Sequence, residues 1–235
     1  MTQPEYIEGN GFIAEVVRTA RIKTATIKVK EGVVSVVVPR KLSGEQIAQL
    51  LKEKNSWIKK KITLHREVMP VRSKQYVSGE SFAYLGRNYR LKVLGDGFAP
   101  VKLIHGQLVV TLPSGSKHPH MTRNALIRWY KQRAELKLQE KVKRYADMVG
   151  VEPREVRIKT FKSRWGSCCT KGNIDFNWKV VLAPNRIVDY VVVHELCHLK
   201  QHDHSPKFWK EVERVMPDYA DCKQWLKLNG GQLEI

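Results

Sequence analysis

The sequence predicts an α+β chain in which a β-rich N-terminal region precedes a compact α+β domain, and three observations predict it. Short apolar stretches in strand-like alternation, punctuated by Gly and Pro, run from the start to about Pro113. A long stretch of helical periodicity follows Pro119. Later, His194-Glu195-Leu196-Cys197-His198 sits at the end of an apolar run of helical length, with further imidazoles at His202 and His204. The expected division is 1–115 for the β-rich region with one basic helix and 116–235 for a compact α+β domain that carries the His motif.

In the front region, Phe12 to Val17, Thr26 to Val29 and Val33 to Val38 read as strands, the last two joined at Glu31-Gly32 and the last stopped by Pro39. Ser43 with Gln46 three residues later is a capping box, and Ile47, Leu50, Leu51, Trp57, Ile58 and Ile62 follow at helical spacing. Phe82 and Tyr84 face Tyr89, Leu91 and Val93 across Gly86-Arg87-Asn88 as one hairpin. Val101 and Leu103 face Leu108, Val110 and Leu112 across His105-Gly106-Gln107 as another. The breaker-rich segment from Pro113 to Pro119 is the expected linker.

Beyond it, a helix is expected from a Thr122 cap to Gly150, with Leu126, Trp129, Tyr130, Leu136, Val142, Tyr145 and Val149 inward. Val156 to Phe161 and Ile174 to Leu182 read as the strands of a hairpin turning at Thr170-Lys171-Gly172-Asn173. Ile187 to Val193 is β-branched, but its continuation through Leu196, Cys197 and Leu199 is too long for a buried strand, so a helix is expected from about Pro184 to about Lys200. Ser205 then caps a new helix with Pro206 in its first turn and Phe208, Trp209, Val212 and Val215 at helical spacing, up to Met216-Pro217.

Two His four residues apart on a helix turn through about 400° and rise about 6 Å, so His194 and His198 leave one face and can share one metal ion. Glu195 stands at the edge of that face, where a base takes a proton from an activated water. Catalytic zinc needs a third protein ligand and an open position. His204 reaches the metal only if the helix stops near Lys200 and the chain turns back, which the cap at Ser205 supports; His202 and Glu211 are the other candidates. Arg164, Tyr190 and Tyr219 are candidates for holding substrate or stabilising an oxyanion, and an exposed edge of the hairpin before the metal helix offers a place for an extended peptide to add as a strand.

The block Ser163-Arg164-Trp165-Gly166-Ser167-Cys168, Gly172-Asn173-Ile174, Asn177-Trp178, Leu182-Ala183-Pro184, Tyr190 to Leu199, His204-Ser205 and Phe208-Trp209 resembles the YgjP-like metallopeptidase-type family of bacterial metal-dependent hydrolases, relatives of the SprT-like zincins. The resemblance implies a zincin-like metallohydrolase domain, with His194, His198 and His204 as metal ligands and Glu195 as the base. The His spacing also equals that of the metzincins, H-E-x-x-H-x-x-G-x-x-H, but Gln201 stands where they have Gly. Met216 invites comparison with their Met-turn, although a Met ending an amphipathic helix serves equally well in a core.

The 235 residues are ample for a buried core. Cys168, Cys169, Cys197 and Cys222 lack C-x-x-C spacing, and no early stretch reads as a secretory signal, so a reducing, cytoplasmic setting is expected. No apolar run approaches the roughly 20 residues that cross a bilayer, and no membrane partner is expected. The 42 Lys and Arg against 23 Asp and Glu, net +19, imply a polyanionic neighbour or substrate. The basic residues cluster on two helices: Lys52, Lys54, Lys59, Lys60, Lys61 and Arg66 on one, Arg123, Arg128, Lys131, Arg133, Lys137, Lys141, Lys143 and Arg144 on the other. No motif that reads DNA or RNA accompanies them, which leaves only non-specific nucleic-acid contact.

Three functions follow. The first is a metallopeptidase using zinc or another divalent ion on polypeptide. The second uses the same metal and base on the phosphoric anhydride of a nucleotide such as a nucleoside triphosphate, with Arg164 or nearby Lys holding phosphate oxygens. The third is a nucleic-acid-associated protein with a structural zinc, against which Glu195 argues, because a structural site needs no base.

Overall fold

The computed structural model describes residues 5–20, 24–30, 33–67, 73–95, 97–113 and 119–235. Among them are eleven strands and six α-helices in a mixed α+β arrangement. The expected turn at Glu31-Gly32 and residues 114–118 of the expected linker lie outside the described residues, as does the Arg66 side chain. The chain divides into two compact units, Met1–Val71 and Arg72–Ile235.

The first unit contains β1 (Glu5–Gly9), β2 (Phe12–Thr19), β3 (Thr26–Lys30), β4 (Val33–Pro39), α1 (Gly44–Glu53) and α2 (Asn55–Glu67). The sheet order is β1-β2-β4-β3, with the central pair β2 and β4 parallel and the outer pairs antiparallel. Strand alternation puts Ala14, Val16, Val34, Val36 and Val38 in one core with Ile47, Leu51, Ile58 and Ile62 of the helices. The capping box at Ser43 forms as expected, its hydroxyl accepting from the Gln46 N–H. The single expected helix is two, because the chain breaks at Lys54, whose N–H still reaches the Leu50 carbonyl. Trp57 of α2 is 44% exposed, with the Lys61 ammonium over its ring.

The second unit opens with β5 (Ser81–Tyr84), β6 (Arg87–Leu94), β7 (Ala99–Ile104) and β8 (Gln107–Thr111). Their order β5-β6-β8-β7, with β6 and β8 parallel, repeats the connectivity of the first sheet, although no sequence repeat stands out. This sheet shares its core with the helices that follow: Phe82, Leu91, Leu108 and Val110 belong to one cluster with Leu126, Trp129, Tyr130 and the apolar side of the metal-motif helix. A boundary at 115/116 would cut that core, and the division at Val71 keeps it whole.

Next come α3 (Pro119–Val149), β9 (Glu155–Lys159), β10 (Gly166–Cys168), β11 (Asn173–Asn177), a buried 3-10 helix (Trp178–Leu182), α4 (Asn185–Cys197), α5 (Pro206–Val215), α6 (Tyr219–Asn229) and a last 3-10 turn (Gly230–Gln232). Thr122 is a buried residue inside α3 and not its cap. Leu136 is 53% exposed, while Ala134 and Leu138 carry the buried face. The expected hairpin of Val156 to Phe161 with Ile174 to Leu182 does not form. β9 runs parallel to β11, and the antiparallel partner of β11 is β10, giving the order β10-β11-β9. The Trp178–Leu182 segment leaves the sheet because the Asn177 side chain accepts the Lys179 N–H and starts a 3-10 turn.

Two contacts seat α4. The Leu85 N–H donates to the Val181 carbonyl at 2.8 Å, and the adjoining Gly86, at φ 86°, lies so close to Pro184 that a Cβ there would be 3.2 Å from the Pro184 Cα. Lys141 of α3, grouped by sequence with the basic cluster of that helix, is instead buried and donates to Asp189 of α4 at 2.6 Å. A lone buried charge costs far more than the pair contributes. Lys141→Ala is therefore expected to lose about 3–5 kcal/mol in urea unfolding, whereas an apolar pair, Lys141→Met with Asp189→Leu, recovers most of it. Equal losses in the single and double variants would contradict this account.

Candidate metal centre

α4 carries the motif because its apolar residues Ile187, Val188, Val191, Val192, Val193 and Leu196 bury nearly all round it, leaving His194 and His198 as the polar stripe. The helix ends at Cys197, three residues before the expected Lys200, with His198 as its cap. The Leu199 and Lys200 N–H groups reach back only three residues, to Leu196 and Cys197, which tightens the last turn and reverses the chain. Gln201, the departure from the metzincin spacing, supplies the carbonyl that faces His198 Nδ1 at 3.0 Å. That contact fixes the tautomer in which Nδ1 carries the proton and Nε2 keeps its lone pair.

The reversal brings His204 back. Asp203 accepts the Ser205 N–H at 3.3 Å, and His204 Nε2 then faces His194 Nε2 at 3.1 Å. Ser205 holds the cap position of α5 without a side-chain cap bond. Phe208, fully buried in the first turn of α5, sets the three rings: it stacks on His198 at 4.5 Å and meets His194 and His204 edge-on at 5.0 Å. Trp209 stacks on His204 at 5.6 Å and on Tyr219 at 5.2 Å.

His194, His198 and His204 each offer one ring nitrogen to a cluster whose atoms lie within 4.8 Å of one another. The donors fit a divalent cation. Two imidazole nitrogens on one tetrahedral zinc stand about 3.3 Å apart, close to the separation of His194 and His204. Burial, helped by the neighbouring imidazoles and Lys223, lowers the His194 pKa to about 3, so its lone pair is free at neutral pH. Two of the other candidates stay outside. His202 is exposed and not in the cluster, and Glu211 accepts from Arg214 at 3.1 Å and pairs with Lys200 at 3.5 Å.

Glu195 is 6% exposed, and burial raises its pKa to about 8 against the opposing pull of Arg164. It is pressed against β10: a Cβ on Gly166 would lie 2.6 Å from its Cγ and Oε1. Arg164, which packs over the Phe161 ring at 5.5 Å, precedes that strand in a loop held by Asn177, whose Nδ2 donates to the Phe161 and Arg164 carbonyls at 3.1 Å each. Tyr190, one turn before His194, lies with its ring 5.8 Å away, and burial pushes its phenol well up. Arg164, Tyr190, His194 and Glu195 line one cleft of about 240 Å³ with Trp165 and Lys223. Sequence reasoning overlooks Lys223 because α6 lies beyond Pro217. Its signal is the four-residue step from Tyr219, which puts both on the face of α6 that meets Trp209.

The four cysteines are free, and no described helix is long and apolar enough to cross a membrane. No curated protein matches the chain. Among solved structures, the chain is similar to the metallopeptidase zymogen abylysin of Pyrococcus abyssi, at 28% identity over 39% of this chain and 94% of that one, with a TM-score of 0.35. The family model described as YgjP-like, metallopeptidase domain, matches residues 23–229, nearly the whole chain including the three clustered His and the cleft, and the chain belongs to that family.

Proposed function

We propose that the protein is a zinc metallopeptidase of zincin-like build, in which His194, His198 and His204 hold the metal and Glu195 is the general base. The observation that carries this reading is the convergence of three imidazole nitrogens within 4.8 Å, with a buried carboxyl on the same turn of α4. When bound, the cation supplies Lewis acidity toward a carbonyl and lowers the pKa of a water. Glu195 takes the proton from the attacking water and delivers it to the leaving amine. Without metal, burial pushes this carboxyl up toward neutrality; a bound cation would draw it back toward the ionised form that a base needs. The Gln201 carbonyl and Phe208 hold the rings in place, so little reorganisation accompanies metal uptake. β10 is an edge of its sheet beside α4, and an extended polypeptide pairing there presents its backbone to Glu195. Arg164 and Tyr190 line the cleft as candidates for holding the substrate or the oxyanion.

A second reading, nucleotide phosphoric anhydride hydrolysis at the same centre, is favoured by the net charge of +19 and by Arg164 at the cleft. Non-specific nucleic-acid contact through the exposed Lys52, Lys54, Lys59 and Lys60 and through Arg123, Arg128, Lys131 and Arg133 of α3 is compatible with either.

The test uses protein loaded with zinc, manganese or magnesium and offered unfolded polypeptide, nucleoside triphosphates and duplex DNA. Cleavage of polypeptide, with zinc stoichiometry near one and its loss in His204→Ala, is the expected outcome. Full zinc content in His204→Ala would reject the third ligand, and turnover of triphosphate without polypeptide cleavage would replace the peptidase reading with the second one.

A further inference from the structure

We infer that Arg164 and Lys223 form a carboxylate-binding subsite in the cleft beside Glu195, so that the favoured polypeptide carries an acidic side chain or its terminal carboxylate next to the scissile bond. The inference rests on the peptidase reading and adds a substrate class to it.

The two cations come from different elements, Arg164 from the loop before β10 and Lys223 from α6, yet they line one cleft of about 240 Å³. That volume suits a side chain or a chain terminus. Each cation is held over an aromatic ring: Lys223 Nζ stands 3.8 Å from the Trp209 centroid, and the Arg164 guanidinium 5.5 Å from that of Phe161. Trp209 also stacks on His204 and on Tyr219, so Lys223 is tied to the wall that carries the third imidazole.

Among the described residues neither cation forms an ion pair, although Arg164 lies near enough to pull on the Glu195 carboxyl. Lys200, Arg214, Arg186, Arg157, Lys159 and Lys179 of the same unit all have carboxylate partners, whereas Arg164 and Lys223 have none among the described residues. Among the described residues, the one acid lining the cleft is Glu195. A basic side chain entering there meets two like charges, and a neutral amide gains little. A carboxylate meets a guanidinium fork and an ammonium, and hydrogen bonds of that kind, between charged partners, are about twice as strong as neutral ones.

Sets of short peptides differing at one position beside the cleaved bond (Glu, Gln or Lys), each with a free or an amidated C-terminus, separate the two sources of carboxylate. With zinc-loaded wild type, the better carboxylate peptide is expected to exceed its neutral counterpart in kcat/KM by roughly 10-fold or more, mostly through KM. Lys223→Glu and Arg164→Glu should erase or reverse the order in favour of the Lys peptide, and Lys223→Arg should retain it. Calorimetry of the same peptides on zinc-loaded Glu195→Gln reads the preference without turnover.

Equal binding of carboxylate and neutral peptides would overturn the subsite, as would an equal fall in kcat for every peptide in Lys223→Glu, which marks a transition-state role. Selective binding of carboxylate peptides that wild type never cleaves would leave the subsite standing and remove the peptidase reading. Tighter binding of a nucleoside triphosphate, lost in the same variants, would reassign the two cations to phosphate.

Discussion

Glu195→Gln is expected to keep its metal and to lose peptide turnover by about 10²- to 10⁴-fold, the range that a positioned general base supplies. The loss should fall on kcat with KM nearly unchanged, because the amide fills the same buried volume and only proton transfer is removed. None of the three imidazoles proposed as ligands is altered, so zinc content by atomic absorption should match wild type. Turnover equal to wild type would remove Glu195 from the chemistry. Metal-free protein gives an independent check. The folded-state pKa of Glu195 is raised to about 8 by burial, so the folded chain keeps a proton that the unfolded chain has already lost. Its contribution to stability is therefore full below the unfolded carboxyl range and is lost as pH rises through about 8. With chelator present, wild type should become less stable relative to Glu195→Gln between pH 5 and pH 8, and a difference flat with pH would show that the carboxyl is not held in a desolvating site.

How far the sequence discloses this centre depends on the element. The metal helix is legible because its apolar run is too long for a strand, and the turn that returns His204 is legible because Ser205-Pro206 announces a helix start. Phe208 and Trp209 are legible as a buried face, but that they set the imidazole rings emerges only when α5 folds back on α4. β10 is three residues long and begins with Gly, so strand propensity does not reveal it, and the sheet partners of β11 are misassigned as a consequence. The Trp178–Leu182 segment has β-forming residues, but a side-chain cap on Asn177 prevails over propensity. Leu136 fails for a different reason: along a helix of 31 residues the buried stripe drifts, and a pattern tuned to one end misses the other. The domain boundary is invisible because a breaker-rich segment looks like a linker whether or not the elements on either side share a core.

Gly166→Ala is expected to impair turnover almost as severely as Glu195→Gln, through steric displacement alone. Gly166 is not at positive φ, so its backbone accepts a side chain and the conflict lies entirely in the space above it. That space is filled by Glu195, whose Cγ and Oε1 would stand 2.6 Å from the new Cβ, far inside contact distance. β10 cannot retreat, since Gly166 pairs with Phe176 of β11 and the Trp165 carbonyl accepts the Asn177 N–H at 2.8 Å. α4 cannot retreat either, because its opposite faces are packed in the core and tied to α3 through Lys141 and Asp189. The carboxyl must therefore swing, and a displacement of about 1 Å at a reacting group costs on the order of 10²-fold in rate. Overpacking should lower unfolding stability by about 1–3 kcal/mol while the zinc content stays intact. Gly44→Ala, where a Cβ meets nothing within 4 Å, is the control for the substitution itself. The decisive comparison is the double variant with Glu195→Gln: if Gly166 acts only by positioning that carboxyl, the second substitution adds almost nothing to the kinetic loss of the first. A full additive loss would mean that the Cβ obstructs the substrate strand at β10 instead.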